Sequence, residues 1–103
     1  MSMLYALNLL DKPGAADLRL RVRPEHKAYL SAAAERIAFA GPLTADDGKE
    51  MHGSLLVMDF DSREAANAWL AGEPFTKAGL YSSVSVQAFV NLWPQKVGFP
   101  PAA

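Results

Sequence analysis

Ser54-Leu-Leu-Val-Met-Asp-Phe60 runs almost directly into Asp61-Ser-Arg-Glu-Ala-Ala-Asn-Ala-Trp-Leu-Ala-Gly72, and the hydrophobic period changes between the two pieces. The first piece is an apolar run of strand length, with Leu55, Leu56, Val57, Met58 and Phe60 placing hydrophobic side chains on both faces. The second predicts a helix over Arg63–Ala71 with Ala66, Trp69 and Leu70 on one side. Asp61 or Ser62 supplies its N-cap, Glu64 stands three residues after Asp61 as in a capping box, and Gly72 closes it.

Working outward, Glu73-Pro74-Phe75 to Leu80 is a structured connection of about a single helical turn, leading to a last strand over Tyr81–Leu92. Val84, Val86, Ala88 and Val90 share one face of that strand. Toward the N-terminus, Met3–Leu10 reads as a strand stopped by Asp11-Lys12-Pro13-Gly14. Ala15–Val22 predicts a short helix, and Pro24 fits the first turn of a second one, where its missing N–H has no helical partner. From His26 a helical stripe runs through Leu30, Ala33, Ala34 and Ile37. Ile37, Phe39 and Gly41-Pro42 read as a short strand and its stop, and Thr44–Gly53 as a polar loop. The order β-α-β-β-α-β predicts an α+β fold: a ferredoxin-like antiparallel sheet with helices on one face. The expected domain covers residues 1–93, and the proline-rich residues 94–103 form a tail.

At 103 residues there is room for one core. The formal net charge of −1 argues against nucleic acid or an anionic membrane as partner. The absence of cysteine excludes a disulfide scaffold, a thiolate nucleophile and cysteine-ligated metals, and two histidines are too few for a histidine-rich metal site. No run approaches the roughly 20 apolar residues of a membrane span, and Met3–Leu10 lacks the flanks of a signal peptide, so a cytoplasmic location is expected. No phosphate loop, dinucleotide fingerprint, serine elbow or zinc motif is present. No cofactor and no metal are expected.

Tyr5, Leu7 and Leu9 alternate with Leu4, Ala6 and Leu10, so the strands are apolar on both faces while the helices cover one. The second face is expected to meet another copy of the chain in a homodimer, with a small-molecule cavity between the two sheets. His26 is the leading chemical candidate, an imidazole at the expected helix start, where the dipole favours its neutral form. The alternative for His26 is a packed histidine bonded to a carbonyl. Glu73, held by Pro74, is of the type that orients an imidazole. Arg23 suits a clamp on substrate oxygens, whereas Arg19 and Arg21 read as a solvated face. Gly41 permits close backbone approach to a ligand, and Tyr5, Phe75 and Tyr81 are candidate cavity walls.

The chain resembles the YciI-like (YCII-related) family of small dimeric α+β-barrel proteins from about Met3 to Trp93. The resemblance is carried by Leu4-Tyr5-Ala6, Val22-Arg23-Pro24-Glu25-His26, Ala40-Gly41-Pro42-Leu43, Ser62–Trp69, Glu73-Pro74-Phe75, Ala78–Tyr81 and Val84-Ser85-Val86 with Phe89. It implies a ferredoxin-like subunit, a dimer packed sheet to sheet, and a site around a histidine and an acid. The histidine carries over to His26, and Glu73-Pro74 stands where the family usually has Asp-Pro. Related dimeric barrels isomerise or eliminate on small ring compounds. The expectation is a cofactor-independent lyase or isomerase that uses His26 as general acid and base on a small hydroxylated or anionic molecule. The alternative is a homodimer that binds such a ligand without converting it.

Overall fold

The computed structural model describes residues 2–94. Its elements are β1 (Met3–Asp11), α1 (Ala16–Ala32), β2 (Ile37–Thr44), β3 (Met51–Phe60), α2 (Arg63–Ala71), α3 (Pro74–Lys77) and β4 (Tyr81–Phe89), with a short 3-10 turn at Ala34–Arg36. The four strands form one antiparallel sheet in the order β2-β3-β1-β4, the expected ferredoxin-like arrangement. Residues 95–103, most of the expected tail, lie outside the described residues. Among the described residues no helix is long and apolar enough to cross a membrane, and no group of three metal-ligating side chains comes together.

Register decides which side chains meet the helices. Leu7 pairs with Leu56 and Val86, and Tyr5 with Met58 and Ala88. These positions and Leu9 and Phe60 point toward the helices, where Ala66 and Leu70 complete a core with Trp69 and Leu30 packed against it. Each fully buried Leu or Met here contributes about 1.5–3 kcal/mol. By alternation Leu4, Ala6, Leu10, Leu55, Val57, Phe39 and Phe89 lie on the opposite face of the sheet. That face carries no helix, and Leu10 and Phe39 are each 41% exposed.

The first helical region differs from expectation: α1 is one 17-residue helix that runs through Pro24. The proline removes the N–H that the Leu20 carbonyl would accept. Leu20 is 65% exposed, so the lost bond falls on the solvent side of the helix, and the helix continues. His26 therefore sits in the middle of a helix, and the helix-start argument for its neutral form does not apply. Ile37 opens β2 instead of extending the helical stripe. β2 itself continues through Gly41-Pro42 to Thr44 because it is an edge strand, where a missing N–H is tolerated. β3 begins earlier than expected, at Met51, which shortens the polar loop, and β4 ends at Phe89 instead of Leu92. Ser62, not Asp61, caps α2, its hydroxyl accepting from Ala65 N–H at 3.0 Å.

Candidate active site

Glu73-Pro74 builds one wall. Proline holds the preceding residue out of the α region, and Glu73 is extended (φ −71°, ψ 132°) with Pro74 opening α3. The Glu73 side chain caps that turn, Oε2 accepting from Thr76 N–H at 3.1 Å and from the Tyr81 hydroxyl at 3.2 Å. Glu73 is fully buried, so its other oxygen needs a donor as well. His26 Nδ1–H supplies it, donating to Oε1 from across the gap between α1 and α3. Phe75 stacks on the imidazole with ring centroids 4.1 Å apart and planes 19° from parallel. A carboxylate at Nδ1 fixes the proton there and leaves the Nε2 lone pair free.

The second wall is the inner face of α1. Arg19, Arg23, His26 and Leu30 follow one another at spacings of four, three and four, one stripe of a continuous helix. Where a covering helix usually carries apolar residues, this one carries two guanidinium groups and an imidazole. Arg19 is 4% exposed. Its Nε and Nη2 donate to Asp11 Oδ2 and Oδ1 at 2.7 and 3.1 Å, and Nη2 also donates to Ser54 Oγ at 3.0 Å. The guanidinium carbon lies 4.7 Å from the centre of the Phe75 ring. Burial raises the Tyr81 hydroxyl far above its ordinary value, helped by the negative Glu73 it donates to, so Tyr81 stays a donor throughout the neutral range.

Between these walls and the sheet lies a cavity of about 260 Å³ lined by Arg19, Arg23, His26, Lys27, Leu30 and Ser31 of α1, Ala40, Gly41 and Pro42 of β2, and Ser54 and Leu56 of β3. Ala40 pairs with Leu56 and Pro42 with Ser54, so these side chains face the helices. The cavity is therefore on the helix-covered side, between α1 and the uncovered β2 edge, and not on the opposite sheet face where a space between two sheets was expected. Its wall carries two guanidinium groups, a lysine and an imidazole, with Asp11 and Glu73 behind them. Such a lining holds an oxyanion or a hydroxylated ring and offers a base to it.

Of the residues singled out from sequence, His26, Arg23 and Gly41 line this cavity, Gly41 through its backbone because its pairing with Leu55 turns its Cβ direction to the opposite face of the sheet. Glu73 stands directly behind His26. Phe75 and Tyr81 are supports, the first beneath the imidazole and the second on Glu73, and neither lines the space. Tyr5 is packed in the core near Phe60 and under Arg63, so it forms no wall of this cavity. Arg19, expected on a solvated face, is buried in the site, and Ser54 and Asp11 join it. The signal for Arg19 was its seven-residue separation from His26, two turns of helix, legible only if the helix passes through Pro24.

The sequence matches the YCII-related domain over residues 3–90. Protein YciI of Escherichia coli O6:H1 is 38% identical over 98 residues, covering 88% of this chain and all of that protein. The solved structure of 5-chloro-2-hydroxyhydroquinone dehydrochlorinase (TftG) from Burkholderia phenoliruptrix AC1100, in complex with 2,5-dihydroxybenzoquinone, is 33% identical with a TM-score of 0.80, covering 85% of this chain and 94% of that one. An antibiotic biosynthesis monooxygenase homologue from Bacteroides thetaiotaomicron VPI-5482 shares the fold at 10% identity, with a TM-score of 0.57 over 94% of this chain and 96% of that one. From the extent of the domain match and the identity to Protein YciI, the chain belongs to the YCII-related (YciI-like) family.

Proposed function

We propose that this protein is a cofactor-independent lyase or isomerase acting on a small hydroxylated ring, with His26 as general base and then general acid. The observation that carries this is the buried Glu73–His26 pair opening onto a cation-lined cavity of about 260 Å³, a size suited to a single ring. The similarity to TftG, whose name and bound molecule are those of a hydroxylated ring chemistry, supports the same class.

In the chemistry the site supports, Nε2 accepts the proton of a ring hydroxyl while Arg19, Arg23 and Lys27 stabilise the oxyanion. The ring ketonises, and the imidazolium returns a proton to a ring carbon. An isomerisation stops there. In an elimination that carbon bears a leaving group, which departs with its bonding pair as a second hydroxyl loses its proton to solvent, leaving a quinone. Glu73 holds the imidazole in one tautomer and one orientation and stabilises its charged form.

The protein acts as a homodimer in this proposal, joined through the helix-free face of the sheet. Support comes from Leu4, Leu10, Phe39, Leu55, Val57 and Phe89 on that face, an apolar surface of the kind that marks an interface. Sedimentation of the wild type is expected to give a dimer, and Leu55→Asp a monomer.

The deciding assay incubates the protein with 5-chloro-2-hydroxyhydroquinone and its unchlorinated and brominated analogues, following halide release and quinone absorbance. Conversion by the wild type that is lost in His26→Gln supports the enzyme. Binding of these rings with no conversion over hours would replace it with the ligand-binding homodimer.

A further inference from the structure

Tyr29 follows His26 by three residues on α1, so the two side chains leave the same side of the helix, about 4.5 Å apart along its axis. His26 reaches the Glu73 carboxylate, and Tyr29 reaches the chain just before it. The Tyr29 hydroxyl donates to the Trp69 carbonyl at 2.7 Å. That carbonyl, in the last turn of α2, also accepts from Gly72 N–H at 3.2 Å, and Glu73 N–H donates to Leu70 O at 3.1 Å. Among the described residues, these are the two side-chain hydrogen bonds that run from α1 to the segment 69–76. The bonds that Thr76 and Tyr81 give to Glu73 tie its carboxylate to α3 and β4, not to α1. Gly72 shows how tight the join is. Its φ of −89° and ψ of −4° are open to any residue, so glycine is not there for backbone freedom. A Cβ at that position lies 2.8 Å from the Tyr29 hydroxyl oxygen and 3.6 Å from Tyr29 Cζ, the first too close for a nonbonded contact. Burial raises the Tyr29 hydroxyl above its ordinary 10.0, and the negative Glu73 raises it further, so it remains a donor at neutral pH.

We propose that Tyr29 is a positioning residue for the Glu73–His26 pair, acting together with Gly72. Its hydroxyl pins the end of α2 against α1 and so sets where Glu73 starts, one helical turn from the imidazole that Glu73 must meet. This rests on the reading of the pair as the proton-transfer machinery and adds the residue that sets its geometry. Tyr29 does not line the cavity, so it acts on the reaction only through Glu73. The Glu73 carboxylate takes donors from α1, α3 and β4, and the bond from His26 weakens steeply as its angle opens. With the hydroxyl gone, Trp69 O keeps one donor, and the chain at Gly72 is free to move away from α1. Glu73 then follows Thr76 and Tyr81, and its Oε1 leaves the line of the Nδ1–H bond. The hydroxyl and the missing Cβ work as one unit, because the hydroxyl reaches Trp69 O only across the space that Gly72 leaves empty.

The test reads the His26 Nδ1 proton by NMR, a resonance that its bond to a buried carboxylate holds far downfield, together with turnover of the ring substrate. In Tyr29→Phe the resonance is expected to move upfield. There kcat is expected to fall by about tenfold to 10²-fold with KM unchanged, the larger figure being that of a misplacement of about 1 Å. Gly72→Ala is expected to do the same in a protein that keeps the hydroxyl. The double variant, Tyr29→Phe with Gly72→Ala, is expected to be no worse than Tyr29→Phe alone, since only the ring carbon at 3.6 Å then stands beside the new methyl. Trp69→Phe is the structural control. It keeps the carbonyl, and it is expected to lower the melting temperature while leaving the resonance in place. If Tyr29→Phe does not fold, Gly72→Ala decides. An unmoved resonance in the single variants, an equal shift in Trp69→Phe, or losses that simply add in the double variant overturns the positioning role. Turnover untouched by His26→Gln overturns the proton-transfer reading instead, and the resonance, read without substrate, still decides on Tyr29.

Discussion

Two helices, α1 and α2, cover the same face of one sheet and are built on opposite principles. α2 is short, is capped by Ser62, and buries Ala66 and Leu70. α1 is nearly twice as long, has no side-chain cap, carries a proline in its interior, and buries Arg19 and His26. Residues on α2 are expected to influence stability and little else. The inner stripe of α1 forgoes apolar burial at two positions, and each buried polar group is matched: Arg19 to Asp11 and Ser54, His26 to Glu73. The difference teaches where the chain has accepted a cost in stability, and that place coincides with its cavity.

The largest expected effect is on the α1 side. His26→Gln keeps an N–H for Glu73 but removes the titratable nitrogen. Turnover of the ring substrate is expected to fall by about 10² to 10⁴-fold, with only a small change in melting temperature. Leu70→Ala on α2 is the mirror experiment. It is expected to cost about 2–5 kcal/mol of stability in denaturant unfolding, with ligand affinity of the folded protein unchanged. If Leu70→Ala altered affinity as strongly as His26→Gln altered turnover, the division between the helices would be lost.

Tyr81→Phe comes next and probes the join between the two systems. It removes the donor to Glu73 Oε2, and a hydrogen bond to a buried charge is worth about 1.5–3 kcal/mol. The pH dependence has a definite sign. The folded-state value of Tyr81 is raised above its ordinary 10.0 by burial and by Glu73. Its contribution to stability is therefore complete below pH 10 and declines as pH rises above that, because only the unfolded chain then releases the proton readily. Wild-type stability is expected to fall from pH 10 upward, and the fall is expected to be shallower in Tyr81→Phe.

The same contrast explains how much was legible in the sequence. α2 follows the rules of period, cap and stop, and its boundaries were read directly. The ferredoxin-like class was legible from the element order β-α-β-β-α-β, since the apolar runs around Leu7, Leu56 and Val86 read as strands and the stretches between them as helices. His26 and Glu73 were legible as residue types beside Pro24 and Pro74. Their meeting was not, since 47 residues separate them and only the packing of α1 on α3 brings them together. Arg19 was lost to a single misreading. Taking Pro24 as a helix start cut the stripe between Arg19 and His26, and alternating arginines at 19, 21 and 23 then resembled a solvated face. A proline on the exposed side of a helix interrupts one hydrogen bond without ending the helix. Tyr5 was misplaced for the opposite reason, because an aromatic on a central strand carries no mark that separates a core position from a cavity wall.

The smallest effects concern the helix ends. Ser62→Ala removes the side-chain cap of α2 and is expected to cost about 1 kcal/mol, lowering the melting temperature by about 4–8 °C in a domain of this size. The reciprocal change on α1, Ala15→Asp, is expected to give back less than that. Ser62 is extended (φ −160°, ψ 165°), which aims its hydroxyl at Ala65 N–H. Ala15 has φ −100° and ψ 18°, a backbone that does not present a side chain to the second or third N–H of the helix. An aspartate there acts mainly through the helix dipole, worth about 0.3–1 kcal/mol and screened by salt. The gain from Ala15→Asp should therefore fade between low and high salt, whereas the loss from Ser62→Ala should persist. If both changes showed equal size and equal salt dependence, the two helix starts would be alike, and the contrast between the helices would rest on their buried faces alone.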